Sequence, residues 1–289
     1  MSKIAVITDS NAHITNEEAK KYGIRVVPMP FMIDDETFYE DITLTREEFY
    51  SKMESGASIV TSQPAPTDVM RIWDEALEDH DEVVYIPMSS GLSGSCQAAR
   101  MLAEDYDGKV QVVNNQRISV TLKRSVLDAI ELANRGMTAE QIREELEAVK
   151  FESSIYIMLD TLKYLKKGGR ITPAAAAIGS LLRIKPVLQI KGERLDAFSK
   201  ARTFAQGKNI MINAMKHDID TLYGGAGGEN VWLYAVHGNI PEQFEEFLEE
   251  VRAAFPGIRV EEDVLSLSIA CHIGPGALAI ACSKKLPTA

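Results

Sequence analysis

The chain is short of the features that assign a protein quickly. Its 289 residues include three cysteines, Cys96, Cys271 and Cys282. An odd, irregularly spaced set excludes a disulfide framework and fits thiols kept reduced in a cytosol. The histidines His13, His80, His217 and His237 are scattered, and no His-x-x-x-His or Cys-x-x-Cys spacing occurs, so no metal site is expected. No apolar run approaches the roughly 20 residues that span a bilayer. The N-terminus passes from Met-Ser-Lys into Ile4–Ile7, too short for a signal-peptide core, and then meets Asp9. Basic residues are outnumbered, 31 against 42 acidic, and the resulting charge of −11 repels nucleic acid and anionic headgroups. Long repeats, heptad arrays and low-complexity segments are missing too, which excludes a solenoid or a coiled coil. A cytoplasmic protein with no integral membrane segment and no nucleic-acid partner is the expectation.

What is present is an ordinary apolar fraction, 45%, laid out in a βα grammar. Ile4–Thr8, Ile24–Pro28, Glu82–Pro87 and Val110–Val113 read as strands. Helices are expected over 16–22, 46–53, 67–78, 94–105 and 118–135. Thr45 and Thr67 suit helix N-caps, and Thr138 opens a capping box before a helix that ends near Lys150. Repeated short βα units predict a mostly parallel sheet with flanking helices. From Phe151 the texture changes, with strands over 153–158, 185–190, 231–237 and 257–262 and helices over 209–222 and 242–255. The fold class expected is α/β in two α/β domains, residues 1–150 and 151–289, the second with a mixed sheet and helices. Gly224–Gly228 is the one linker-like stretch, internal to the second domain.

Three polar loops stand where a strand end meets a helix start: Thr8-Asp9-Ser10, Thr61-Ser62-Gln63-Pro64, and the Ser/Gly run from Ser89 to Ser95. In an open α/β sheet that position presents unpaired backbone N–H groups and a partial positive charge, suited to a phosphate or a carboxylate. The plain alternative is three capped βα turns. Strand, serine turn and helix also follow the order of a Gly-x-Ser-x-Gly nucleophile elbow, with His272 far downstream. Against it, position 95 is Ser where the elbow has Gly, and no Gly-rich oxyanion loop precedes it. Cys271-His272-Ile273-Gly274-Pro275-Gly276 has glycines that permit close backbone approach and a histidine able to donate to an anion. Lys166-Lys167-Gly168-Gly169-Arg170 is a basic glycine turn without phosphate-loop spacing. Ile171–Leu182 is apolar nearly all round and reads as a buried helix whose small residues leave room beside it.

Taken together, Thr8-Asp9-Ser10, Thr61-Ser62-Gln63-Pro64, Ser89-Ser90-Gly91-Leu92-Ser93-Gly94-Ser95, Leu165-Lys166-Lys167-Gly168-Gly169-Arg170-Ile171, Ile184-Lys185-Pro186 and His272-Ile273-Gly274-Pro275-Gly276 resemble the motifs of the DegV family. These are fatty-acid-binding proteins, some of which serve as the lipid-carrying subunit of bacterial fatty acid kinase in phospholipid metabolism. The resemblance implies two α/β domains with a long-chain fatty acid buried between or within them. It implies a carboxylate held by Thr61 and Ser93, with the Gly94 N–H and His272 in support, and places Arg170 and Arg202 on the kinase-facing or head-group rim. It implies no cofactor and no catalytic residue on this chain, the partner kinase supplying ATP. Val113-Asn114-Asn115-Gln116-Arg117 departs from the family pattern, in which an Asp-Ser or Asp-Thr often follows the strand.

The physics agrees with a carrier. Burying about 14 methylenes at about 0.8 kcal/mol each gives roughly 11 kcal/mol of gross driving force. That must offset desolvation of a carboxylate, which is costly unless hydroxyls and N–H groups bond it. Two other readings stay open from the residues: a Ser93-dependent acyl hydrolase with His272 as base, and a carrier of another amphiphilic lipid.

Overall fold

The computed structural model describes residues 2–178, 184–225 and 228–286. The chain divides into two compact units. The first extends to Phe151 and includes Ser266–Ser268; the second runs from Glu152 to Leu265 and resumes at Ile269.

In the first unit, β1 (Ile4–Asp9), α1 (Asn16–Tyr22) and β2 (Arg25–Val27) form a βαβ step. A small antiparallel sheet follows, made of β3 (Phe31–Ile33), β4 (Glu36–Phe38) and, after α2 (Arg46–Glu54), β5 (Ile59–Thr61). Next come α3 (Pro66–Leu77), β6 (Glu82–Ile86), α4 (Ser95–Ala103), β7 (Val110–Val112), α5 (Ser119–Asn134) and α6 (Ala139–Ala148). The main sheet is all parallel in the order β2-β1-β6-β7. Burial on both faces explains why β1 and β6 read as nearly unbroken apolar runs. Between α3, α4 and the sheet lies a core centred on Trp73, wholly buried and edge-on to Tyr85 at 5.5 Å and Tyr106 at 5.4 Å.

Local sequence accounts for the helix starts. Thr45 with Glu48 and Thr138 with Gln141 form the expected capping boxes. Thr67 is not a cap. The N-cap is Ala65 and Pro66 takes the first helical position, where its missing N–H costs nothing.

The second unit carries a six-stranded mixed sheet. Its elements are β8 (Ser153–Met158), α7 (Lys163–Gly168), α8 (Pro173–Ile178), β9 (Lys185–Ile190), β10 (Asp196–Ala201), α9 (Phe204–Leu222), β11 (Val231–Gly238), α10 (Pro241–Ala254), β12 (Val260–Val264), α11 (Leu267–Ile273) and β13 (Ala277–Lys284). The strand order is β10-β9-β8-β13-β11-β12, with β11 and β12 parallel and the other neighbours antiparallel. Met211, Met215 and Ile219 of α9 join Phe244, Phe247 and Val251 of α10 in one core. Two charges are buried there with partners: Lys208 lies 2.8 Å from Glu246 and Glu250, and Asp218 receives Tyr156 Oη at 2.8 Å and Lys191 Nζ at 2.6 Å.

Several boundaries differ from those the sequence pattern suggests. α9 starts at Phe204 because the Thr203 side chain caps it, receiving the Gln206 N–H. β12 begins three residues later than its apolar run. The expected buried helix over 171–182 is the short α8, whose Pro173, Ala174 and Ala177 are exposed while Ala175 is buried; alanines alone do not mark which face is covered. Residues 179–182 of that expectation, and 226–227 of the Gly224–Gly228 stretch, lie outside the described residues.

Truncating Trp73 should leave a large void in the first core. Urea unfolding of Trp73→Ala is expected to show a loss of about 3–5 kcal/mol, with the transition at correspondingly lower denaturant.

Candidate functional site

The site is built at the carboxyl ends of β1 and β6. The chain leaves β1 toward β2 and β6 toward β7, so the strand order reverses between them, the position where open α/β sheets receive ligands. Asp9 ends β1 there and is wholly buried. Its carboxylate accepts the Asn11 N–H and Asn11 Nδ2 at 2.9 Å each, and across the switch point the Met88 N–H at 2.8 Å. Burial pushes its pKa above the ordinary carboxylate value, opposed by those bonds.

Beyond Pro87 the chain turns around Ser89. Its N–H donates to the Arg117 carbonyl at 2.9 Å, its carbonyl accepts the Leu92 and Ser93 N–H groups at 3.0 and 3.2 Å, and its hydroxyl accepts the Gly91 N–H at 3.3 Å. This turn delivers Ser93, half-buried, and Gly94, exposed, to the start of α4. Ser93 Oγ accepts the Ser95 N–H at 3.1 Å, and Gly94 occupies the N-cap without a side-chain bond of its own. The Ser95 hydroxyl is buried and has no hydrogen-bond partner among the described residues. The start of α4 therefore offers what an anion requires: N–H groups, a hydroxyl and the positive end of a helix dipole.

Thr61 ends β5 and pairs with Phe31, so it shares the face of the small sheet that carries buried Phe31. The opposite face, through Met32 and Thr37, borders a groove of about 640 Å³ that also touches Pro28, Pro30 and Tyr39. Ser62, Gln63 and Pro64, the loop that follows Thr61, line it as well. The loop after Thr61 does reach the serine turn: Gln63 Oε1 lies 3.4 Å from where a Cβ on Gly94 would stand. Thr61, Ser93 and Gly94 thus belong to one unit and to two loops in contact. Sequence reasoning missed Asn11 and Arg117 as parts of this framework, while Gln63 lies in one of the three polar loops it picked out; a polar residue closing an apolar strand, as Asp9 does, was the available signal for Asn11.

His272, Arg170 and Arg202 belong to the second unit. His272 lies near the end of α11 against the Lys-Gly-Gly-Arg turn: a Cβ on Gly168 would stand 2.5 Å from its Nδ1. Gly274 must likewise be glycine, with φ +77° and the Tyr164 ring in the space a side chain would take. Desolvation, then the nearby Arg170 guanidinium, depress the His272 pKa to about 4, so the ring is neutral at pH 7 and offers one donor and one acceptor. Arg170 is half-buried and donates to the Gly168 carbonyl, while Arg202 is exposed just before α9, its N–H on Gln206 Oε1 at 2.8 Å.

The nucleophile-elbow comparison weakens on this geometry. The elbow puts its serine on a sharp, strained turn straight from strand to helix. Here seven residues separate the end of β6 from Gly94, and Ser93 is not among the residues with positive φ. No group of three or more His, Cys, Asp or Glu suited to a metal occurs among the described residues, and no described helix is long and apolar enough to cross a membrane.

The first unit holds Ser266–Ser268 by two bonds. Glu40 Oε2 accepts the Leu267 N–H at 2.8 Å, and Ser268 Oγ donates to Asn11 Oδ1 at 2.8 Å. The Glu40 side chain is 7% exposed and pairs with Arg46 at 3.1 Å. Desolvation raises its pKa from 4.5 to about 7, against the lowering effects of the Leu267 N–H, His13 and Arg46. Between those two values the folded protein binds more protons than the unfolded chain, so stability falls as pH rises through the window. The loss amounts to roughly 3 kcal/mol between pH 4.5 and 7. Denaturant melts across that range are expected to show this slope in the wild type and a flatter profile in Glu40→Gln; equal slopes would remove Glu40 as its source.

Comparison with known proteins places the chain. The model of the DegV family matches residues 3–285. A DegV domain-containing protein of Listeria innocua is 33% identical over 287 residues, covering 98% of this chain and 99% of that protein. Among solved structures, a DegV family protein from Thermus thermophilus, described by its fatty acid binding, superimposes with a TM-score of 0.88 at 30% identity over 98% of this chain and 99% of its own. DegV of Bacillus subtilis, described as a fatty acid binding protein, gives 0.87 at 29% identity over 99% and 100%. With the family model spanning nearly the whole sequence and relatives matched end to end, this chain belongs to the DegV family.

Proposed function

We propose that this protein binds a long-chain fatty acid with its tail in a buried apolar tunnel and presents the carboxylate to a separate kinase subunit, which forms the acyl phosphate. The observation that carries the reading is end-to-end likeness to two proteins described as fatty-acid-binding, at 30% and 29% identity. The start of α4 supplies matching chemistry in this chain.

In this reading the carboxylate lies at the N-terminus of α4, bonded by the Gly94 N–H and the Thr61 and Ser93 hydroxyls. Neutral His272 is the further donor. A neutral imidazole suits this task, because it bonds one oxygen without fixing the anion in a strong ion pair that would lower its nucleophilicity. A carboxylate oxygen then attacks the γ-phosphorus of ATP held by the kinase, the bond to the β,γ-bridging oxygen breaks, and ADP departs. This chain's contribution is orientation of the attacking oxygen. Arg170 and Arg202 are assigned to the rim facing the head group or the kinase, and the carrier works from the cytoplasm.

Native mass spectrometry with solvent extraction tests the first half of the reading. Wild-type protein is expected to retain about one long-chain fatty acid per chain. Ser93→Ala and Thr61→Val should retain several-fold less, since each removes one hydrogen bond to a charged group, typically about 1.5–3 kcal/mol. Lipid-free protein whose Ser93 is labelled by a fluorophosphonate would instead favour the acyl hydrolase.

A further inference from the structure

The loop after β7 supports the serine turn, its Arg117 carbonyl receiving the Ser89 N–H. Arg117, near its end, is 1% exposed. Its guanidinium donates to Ser125 Oγ on α5 at 3.1 Å and to the Val149 carbonyl beyond α6 at 2.9 Å. Ser125 Oγ also receives Asn115 Nδ2 at 2.7 Å and donates to the Thr121 carbonyl at 3.2 Å. Glu147 on α6 holds the Asn114 N–H at 2.7 Å. Three side chains thus tie this loop to two helices. The tethering holds backbone that would not stay there unaided: Gln116 and Ser119 have φ of +57° and +56°, the left-handed region that non-glycine residues avoid.

The Arg117 charge also acts on buried Asp128, opposing the rise that burial gives that carboxyl's pKa; even so, burying a guanidinium carries a desolvation cost that a neutral side chain of similar volume would avoid. What it secures is the position of its own carbonyl. That carbonyl receives the Ser89 N–H, and the Ser89 carbonyl in turn receives the Ser93 N–H. A continuous line of hydrogen bonds runs from α5 and α6 through Arg117 and Ser89 to the residue at the head of α4.

We propose that Arg117 is a positioning residue for the ligand's head group: its anchored carbonyl sets Ser89, and Ser89 sets the Ser93–Gly94 start of α4 that receives the carboxylate. This rests on the fatty-acid reading above. Arg117 touches no ligand and acts through the serine turn. Its effect falls on the polar end of the ligand and spares the tail.

The test uses a pair of ligands that differ only at the head. Delipidated full-length protein is titrated with dodecanoate and with dodecanol, for wild type, Arg117→Met and Arg117→Lys. A misplacement on the order of 1 Å is enough to degrade a hydrogen-bonded site severely. Arg117→Met is therefore expected to weaken dodecanoate at least about tenfold while dodecanol changes less than about twofold, with Arg117→Lys recovering part of the loss. Should Arg117→Met fail to fold by circular dichroism, Ser125→Ala, which removes the hydroxyl shared by Arg117 and Asn115, gives the same comparison. Parallel weakening of both ligands, or no change in either, overturns the positioning role while wild-type binding of dodecanoate leaves the fatty-acid reading intact. A wild type that binds neither ligand overturns both.

Discussion

The first unit depends on one buried carboxylate. Parallel strands β1 and β6 end side by side, and where they end their hydrogen-bonding ladder stops and backbone donors are left over. Asp9 takes up two of them, the Asn11 N–H and, from across the strand boundary, the Met88 N–H, and also receives the Asn11 side-chain Nδ2. Without it, the Met88 and Asn11 backbone N–H groups would lose these acceptors at the point where the strand order reverses. The raised pKa of Asp9 records the cost of placing a carboxylate there. Holding the two strand ends at fixed spacing is what the fold obtains in return.

The serine turn is consequently held from both sides by buried ionisable groups, Asp9 through Met88 and Arg117 through Ser89. Between them the turn can stay short of bulky side chains, as its Ser and Gly content requires, and still keep one conformation. A loop of this composition is ordinarily mobile. Here its order comes from the walls. The same logic applies to the His272 loop in the second unit, where Gly168 and Gly274 allow α7 and the chain after α11 to approach more closely than side chains would permit.

Local signals made much of this legible. The strands of the parallel sheet were visible as apolar runs, and Thr45 and Thr138 announced their helices by capping boxes that exist in the fold. The three polar loops stood out because hydroxyl and glycine residues interrupt strand-to-helix transitions. What escaped notice was set by distant partners. β3 and β4 have three residues each, too few for periodicity to register, and they are strands because they pair with one another and β3 pairs with β5. Asn209 seemed to open α9 because nothing apolar marks Gln206 or Lys208, yet Lys208 is buried by two glutamates of α10. Arg117 looks like a surface residue in the sequence, and only the positions of Ser125 and Val149 make it an interior one. Nothing in the local pattern of Leu265–Ser268 marks Ser266–Ser268 as part of the first unit.

That three-residue segment bears on how the protein is made. Translation produces residues up to Phe151 long before residues 266–268, yet Asn11 Oδ1 and Glu40 Oε2 wait for Ser268 and Leu267 as partners. The N-terminal unit emerging from the ribosome is therefore complete in its strands and incomplete in its interior. Its last bonds close only after most of the chain has been synthesised. The hydrogen-bonded geometry beyond the end of β1 is then a property of the longer polypeptide, and a ribosome-bound nascent chain ending before residue 266 would carry the sheet without its final clasp.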